Sequence, residues 1–251
     1  MLKVNDMSID VTRQVSLNIA ALESEFNAIT NNLANVSTAG YKRFVSSFAE
    51  TLARQQSLLG DNDISSANLQ VGIDFSQGLS MIETGRSLDV ALQGKGFFVI
   101  ETAEGPLYTR NGMFRANQNG QITDSLGRIV SGQAGPVTIP ADIALSQVNI
   151  AADGSVKAGD TTLGQLRVVS FGDNENKLIP AGDNCFRAPN DLAVLAEENA
   201  AIRQGYLESS NVKMIDELVD MIMVSRLYQA NMKFITARKD AGESLMSLAM
   251  G

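Results

Sequence analysis

An α+β fold is predicted for this sequence: long N- and C-terminal helices packed as a coiled-coil-like pair, with an inserted antiparallel β-domain. Three observations predict it. Apolar residues recur at steps of three or four near both ends. The middle alternates short apolar runs with Asn-Gly and Asp-Gly dipeptides. No proline follows Pro189, so nothing of that kind interrupts a long C-terminal helix.

The first helix is read from Val11, Val15, Ile19, Leu22, Phe26, Ile29, Leu33 and Val36, which fall on one stripe. From Leu22 onward the steps alternate four and three, the spacing of a heptad. Ser37, Thr38, Ala39 and Gly40 then supply the polar and flexible residues that end it. A connector over 44–86 begins with a short helical pattern (Phe48, Leu52, Leu58, Leu59) and continues as a polar, extended stretch. Residues 87–204 read as the β-rich domain. There Asn111-Gly112, Asn119-Gly120 and Asp153-Gly154 sit beside short apolar runs. Type I′ hairpin turns need positive φ at both central residues, which such pairs supply.

The last region, 205–251, carries the longer helix, with two apolar stripes. One contains Val219, Met223, Leu227, Ala230, Phe234, Ala237, Ala241, Leu245 and Leu248. The other contains Met214, Leu218, Met221, Tyr228, Met232, Ile235, Met246 and Ala249. At about 100° per residue the two stripes lie on roughly opposite sides. Lys233, Thr236, Asp240, Ser244 and Ser247 form a polar strip between them. One partner helix covers one face, so the second face requires another neighbour.

Composition narrows the function. The formal charge is −8, which disfavours non-specific attraction to nucleic acid or anionic lipid. No run reaches the roughly 20 apolar residues that span a bilayer. The first residues carry Asp6 and Asp10 and do not read as a secretory signal. Histidine is absent, which excludes serine–histidine and cysteine–histidine catalysis. Cys185 is the only cysteine, which excludes an intramolecular disulfide and a thiolate metal cluster.

The remaining candidate chemistry is weak. Gly94-Lys95-Gly96 lacks the spacing of a phosphate loop and is read as a tight turn. Asp89, Glu101, Asp124 and Asp153 are scattered, with nothing pairing two of them for acid–base work. Asp61-Asn62-Asp63 lacks the glycine and distal glutamate of a calcium loop. Asn35-Val36-Ser37 matches a glycosylation sequon, but Val36 belongs to the apolar stripe. No enzyme activity, cofactor, metal or small-molecule substrate is expected. Of the ten methionines, Met214, Met221, Met223, Met232 and Met246 cluster on the last helix, where their adaptable side chains suit a helix meeting non-identical neighbours.

Four segments, in order, resemble one family. Asn31 to Lys42 (NNLANVSTAGYK) is similar to the N-terminal signature of flagellar rod and hook proteins. Glu83–Ile100 (ETGRSLDVALQGKGFFVI) and Tyr108–Ile122 (YTRNGMFRANQNGQI) resemble the start of that family's β-domain. Gly205–Ile222 (GYLESSNVKMIDELVDMI) resembles its C-terminal signature. The motif residues are Asn32, Leu33, Ala34, Asn35 and Gly40 at one end and Ser210, Asn211 and Val212 at the other. TGRSLDVAL, YTRNG and LGQLRVVSFGD (Leu163–Asp173) are most similar to the proximal-rod branch, with the distal-rod branch second. Ala237–Gly251 departs from the distal branch's ending.

The resemblance implies a structural subunit of the flagellar basal body, in the periplasmic space. It implies export through the flagellar type III apparatus and polymerisation with itself and other rod proteins through the terminal helices. The expected assembly interface is Leu22, Phe26, Ile29, Leu33 and Val36 with Val219, Met223, Leu227, Phe234 and Leu245. The first set is expected to face Leu227, Phe234 or Leu245 in the same or an adjacent subunit. A distal-rod or hook-type protein is the alternative within the family. A secreted β-rich adhesin or binding module is the alternative outside it, and leaves the two-faced helix without a role.

Overall fold

The structure, a computed structural model, describes residues 2–45, 72–197 and 201–250, and side chains within 15–45, 72–197 and 201–244. The helical pattern at Phe48–Leu59 and the acidic run Asp61–Asp63 lie outside the described residues. The chain divides into two compact units, one built on the terminal helices and one on residues 35–43 and 73–212.

In the helical unit, α1 spans Leu2–Ala34 and α2 spans Met214–Met250. Asp216 and Glu217 in the first turn of α2 complement its dipole. Among the described residues the buried core of the unit is small. Leu22, Ile29 and Val224 are buried, with Met221 and Tyr228 packed against them. On α2 these residues span an arc of about 60° at 100° per residue. Val219, Met223, Leu227 and Phe234 span an arc of about 80°, centred about 130° away.

The β-unit is antiparallel throughout its recorded pairings, and its order follows from turns and two-sided burial. The nine-stranded sheet runs Ile179–Gly182, Cys185–Arg187, Leu107–Thr109, Phe97–Glu101, Ile129–Val130, Ile122–Thr123 and Arg115–Ala116. Val168–Ser170 pairs with Phe97–Glu101 and with Leu195–Ala196. A three-stranded sheet contains Val148–Ile150, Ser155–Ala158 and Thr161–Gln165. Two ribbons close the unit, Val90–Gln93 with Ala201–Gln204 and Met81–Glu83 with Tyr206–Glu208.

Phe97–Glu101 shows why the sheet is stable. Successive side chains of a strand point to opposite faces, so Phe98 and Ile100 enter one core while Phe97 and Val99 enter another. The second core is aromatic. Phe97 meets Phe75, Phe171 and Phe186 edge-on, with centroids 5.6, 5.7 and 6.3 Å apart. Each such pair adds about 0.5–1.5 kcal/mol beyond area burial.

The fold departs from the expected one. The described chain is mainly a β-rich domain, with one helix at each end, and no coiled-coil-like pair with an inserted β-domain is formed. Among the described residues there are eighteen strands. The heptad spacing of α1 misled because Val15, Leu22 and Ile29 are its buried large residues, each seven apart, while Phe26 between them is 41% exposed. The helix α2 has apolar residues on several sides, so no single seam is specified.

Two of the three turn signals produce hairpins. Asn119-Gly120 joins Arg115–Ala116 to Ile122–Thr123, and Asp153-Gly154 joins Val148–Ile150 to Ser155–Ala158. Asn111-Gly112 does not, because Leu107–Thr109 pairs with Phe97–Glu101 and Cys185–Arg187 instead. Glycine is needed there for close approach. A Cβ at Gly112 would collide with the Val90 carbonyl, whose residue donates N–H···O to Gly112 at 3.0 Å.

Candidate functional site

The signature residues at the two ends of the chain build two buried polar clasps, one within each unit. In the helical unit, α1 ends two residues after Asn32, which is 1% exposed. Its amide reads both backbone groups of Phe44: Oδ1 accepts from the Phe44 N–H and Nδ2 donates to the Phe44 carbonyl, each at 2.8 Å. Nδ2 also donates to Glu217 Oε2 at 3.1 Å, and Glu217 is wholly buried in the first turn of α2. One asparagine thus fixes the end of α1, the returning chain and the start of α2. An apolar residue would leave these backbone groups and a buried carboxylate short of partners, at about 1–3 kcal/mol per neutral group.

In the β-unit the clasp is ionic. Tyr206–Glu208 pairs with Met81–Glu83, and this places Glu208 against the chain end of the N-terminal motif. Lys42 Nζ donates to Glu208 Oε1 at 2.8 Å, and both side chains are fully buried. Arg110 Nη1 donates to Glu208 Oε2 at 3.3 Å. The Gly78 N–H donates to Glu208 Oε1 at 2.7 Å, and Lys42 Nζ also donates to the Ser76 carbonyl at 2.6 Å. Burial pushes the Lys42 ammonium and the Arg110 guanidinium below their usual pKa values, with Glu208 opposing the shift in each.

Neighbouring motif residues complete the clasp. Asn211 Oδ1 accepts from the Arg43 N–H at 2.7 Å, and its Nδ2 donates to the Asp74 carbonyl at 2.8 Å. Ser210 Oγ accepts from the Val212 N–H at 3.2 Å, and Val212 is 1% exposed. Gly40 has φ +66, and a Cβ there would run into the Arg110 carbonyl, so only glycine fits. Its N–H donates to the Glu208 carbonyl at 2.7 Å. Thr38 closes the turn after α1 on Asn35, N–H to carbonyl at 3.0 Å.

A cleft of about 560 Å³ in the β-unit is lined by residues that include Asp74, Lys95, Arg110, Asp173 and Glu175. Arg110 Nε and Glu175 Oε1 are buried beside it without hydrogen-bond partners among the described residues. Both atoms are shut off from solvent, so the cleft offers neither to a ligand. Burial raises the Glu175 carboxyl above its usual pKa, with Arg110 opposing the shift. Among the described residues no three potential ligands group to hold a metal ion. Gly94-Lys95-Gly96 forms the turn between Val90–Gln93 and Phe97–Glu101. Lys95 there meets Asp173 at 3.3 Å on the surface.

The expected interface residues divide into packed and uncovered sets. Leu22 and Ile29 pack against Val224, Met221 and Tyr228 of α2. Leu33 and Val36 are half-buried. Val219 (50%), Met223 (56%), Leu227 (46%) and Phe234 (50%) are exposed on the α2 face turned from that core. Within the chain, therefore, α1 meets the Met221–Tyr228 stripe of α2. The side chain of Leu245 is not among those described. No helix of the described residues is long and apolar enough to cross a membrane.

Sequence reasoning missed Lys42, Arg110, Glu208 and Glu217. All lie within or beside the motif segments, but opposite charges 166 residues apart, as for Lys42 and Glu208, give no periodic signal.

The flagellar hook protein FlgE/F/G D1 domain family matches residues 91–158, inside the β-unit. The flagellar basal body rod FlgEFG protein C-terminal family matches residues 203–248, covering Glu208 to most of α2. The chain is 31% identical to the flagellar basal-body rod protein FlgG of Buchnera aphidicola, over 91% of this chain and 95% of the relative. It is 34% identical to FlgG of Agrobacterium fabrum, over 86% and 90%. It is 33% identical to FlgF of Salmonella typhimurium, over 82% and 85%. With relatives this similar over nearly their whole length, the chain belongs to the flagellar basal-body rod protein family and is a structural subunit of the rod.

Proposed function

We propose that this subunit joins its neighbours through the uncovered face of α2, and that it occupies the proximal part of the rod in the periplasmic space. The exposure of Val219, Met223, Leu227 and Phe234 along one face carries the reading. A contiguous apolar stripe in water marks an interaction surface, and α1 is already committed to the other face. Each large apolar side chain removed from water contributes about 1.5–3 kcal/mol. The partners are further copies of this chain and other rod proteins. Heterologous contacts of this kind generate helical assemblies when they do not close. Export through the flagellar type III apparatus is the route that the resemblance to rod proteins implies. The segments Glu83–Ile100, Tyr108–Ile122 and Leu163–Asp173 support the proximal position by their resemblance to that branch.

Leu227→Asp or Phe234→Asp tests the reading. The expected result is a folded subunit in non-swimming cells, with electron microscopy showing basal bodies arrested at the proximal rod. Normal swimming by either variant contradicts it.

A further inference from the structure

The methionines of α2 differ sharply in exposure. Met214, Met223 and Met232 are 47%, 56% and 40% exposed, whereas Met221 packs against the Leu22–Ile29–Val224 core. Met223 lies in the middle of the uncovered stripe, one turn from both Val219 and Leu227. Susceptibility of a thioether to peroxide follows its exposure. Resting on the assembly face read above, we propose that Met223 is a site of oxidation by hydroperoxides in the unassembled subunit, and that its sulfoxide blocks joining to the rod.

The reaction balances without help from the protein. A sulfur lone pair attacks the nearer oxygen of the peroxide, an S–O bond forms and the O–O bond breaks. Sulfur loses two electrons to the peroxide, and the departing hydroxide takes up the remaining proton and leaves as water. The flexible apolar side chain becomes a polar one with a strong acceptor oxygen. On a face that must lose its water on contact, that oxygen is buried without a donor, and burying an unpaired polar group opposes association. Once the face is covered, Met223 is out of reach. The chemistry therefore discriminates between free subunits and assembled ones, and Met221, packed within the chain, is an internal reference.

The test has two arms. Purified full-length chain and isolated basal bodies are treated with limiting hydrogen peroxide, and sulfoxide at each methionine is measured by peptide mass spectrometry. In the free chain Met223 should oxidise faster than the partly buried Met221, and in basal bodies that difference should vanish. In cells, Met223→Gln, a polar side chain of similar length, should reduce swimming more than the apolar Met223→Leu does. Equal oxidation of Met223 in free and assembled protein, or normal swimming by Met223→Gln, overturns the proposal. If Met223→Gln swims and Leu227→Asp does not, only the oxidation switch fails. If both swim, the assembly face itself is wrong.

Discussion

At the scale of single residues, Glu208 is the one on which most depends. Its carboxylate neutralises one of two buried cations, Lys42 and Arg110, and also accepts from the Gly78 N–H. Removing one partner of a buried ion pair costs about 3–5 kcal/mol, because the other charge is left without compensation. Glu208→Gln strands two like charges together and should cost at least that, measured by urea unfolding at neutral pH. Lys42→Met leaves Arg110 and Glu208 as a neutral pair, so its cost should be clearly smaller. The reverse order would show that the lysine, and not the charge balance, holds the clasp.

Glu175 gives a prediction of opposite sign. Burial raises its folded pKa above the ordinary 4.5. The folded state then binds its proton more tightly than the unfolded state does. That contribution is complete below the unfolded value and is lost as pH rises through the folded one. Glu175→Gln cannot ionise, so it should raise the melting temperature at pH 7 relative to the parent and leave it unchanged near pH 4. A variant less stable than the parent at pH 7 would mean that the attraction of Arg110 outweighs burial.

At the scale of elements, the sequence was legible wherever a pattern was local. The two terminal helices follow from their periodicity, and the hairpins at Asn119-Gly120 and Asp153-Gly154 follow from turn chemistry. What failed was non-local. The Asn111-Gly112 signal has the same local chemistry, but the strands on either side find partners elsewhere in the sheet. The side of α2 that packs on α1 within the chain was not legible, for a related reason. Periodicity states which residues of a helix share a face, yet a helix with two apolar faces leaves open which one an intramolecular partner takes. Asn32, Glu217 and Val224 settle that choice, since they hold the Met221–Tyr228 side toward α1. Because Leu227 is already exposed, Leu227→Asp should change the stability of the free subunit by no more than about 0.5 kcal/mol. A large loss of stability would mean that the stripe is packed within the chain.

At the scale of the whole molecule, the two ends of the chain have separate tasks. Residues 35–43 and 205–212 tie themselves into the β-unit through Gly40, Lys42, Glu208 and Asn211. The residues just outside them, α1 and α2, belong to a unit in which the described side chains form a small buried core. A helix with little tertiary packing gains most of its stability when a neighbour covers its apolar face. The rod would supply that neighbour. The central claim is therefore that the Val219–Phe234 face is open in the free subunit and closed in the rod. The most direct measurement is thiol labelling of a Leu227→Cys subunit in a Cys185→Ala background. The account predicts rapid labelling of the purified chain and protection in isolated basal bodies. Equal labelling in both would contradict it.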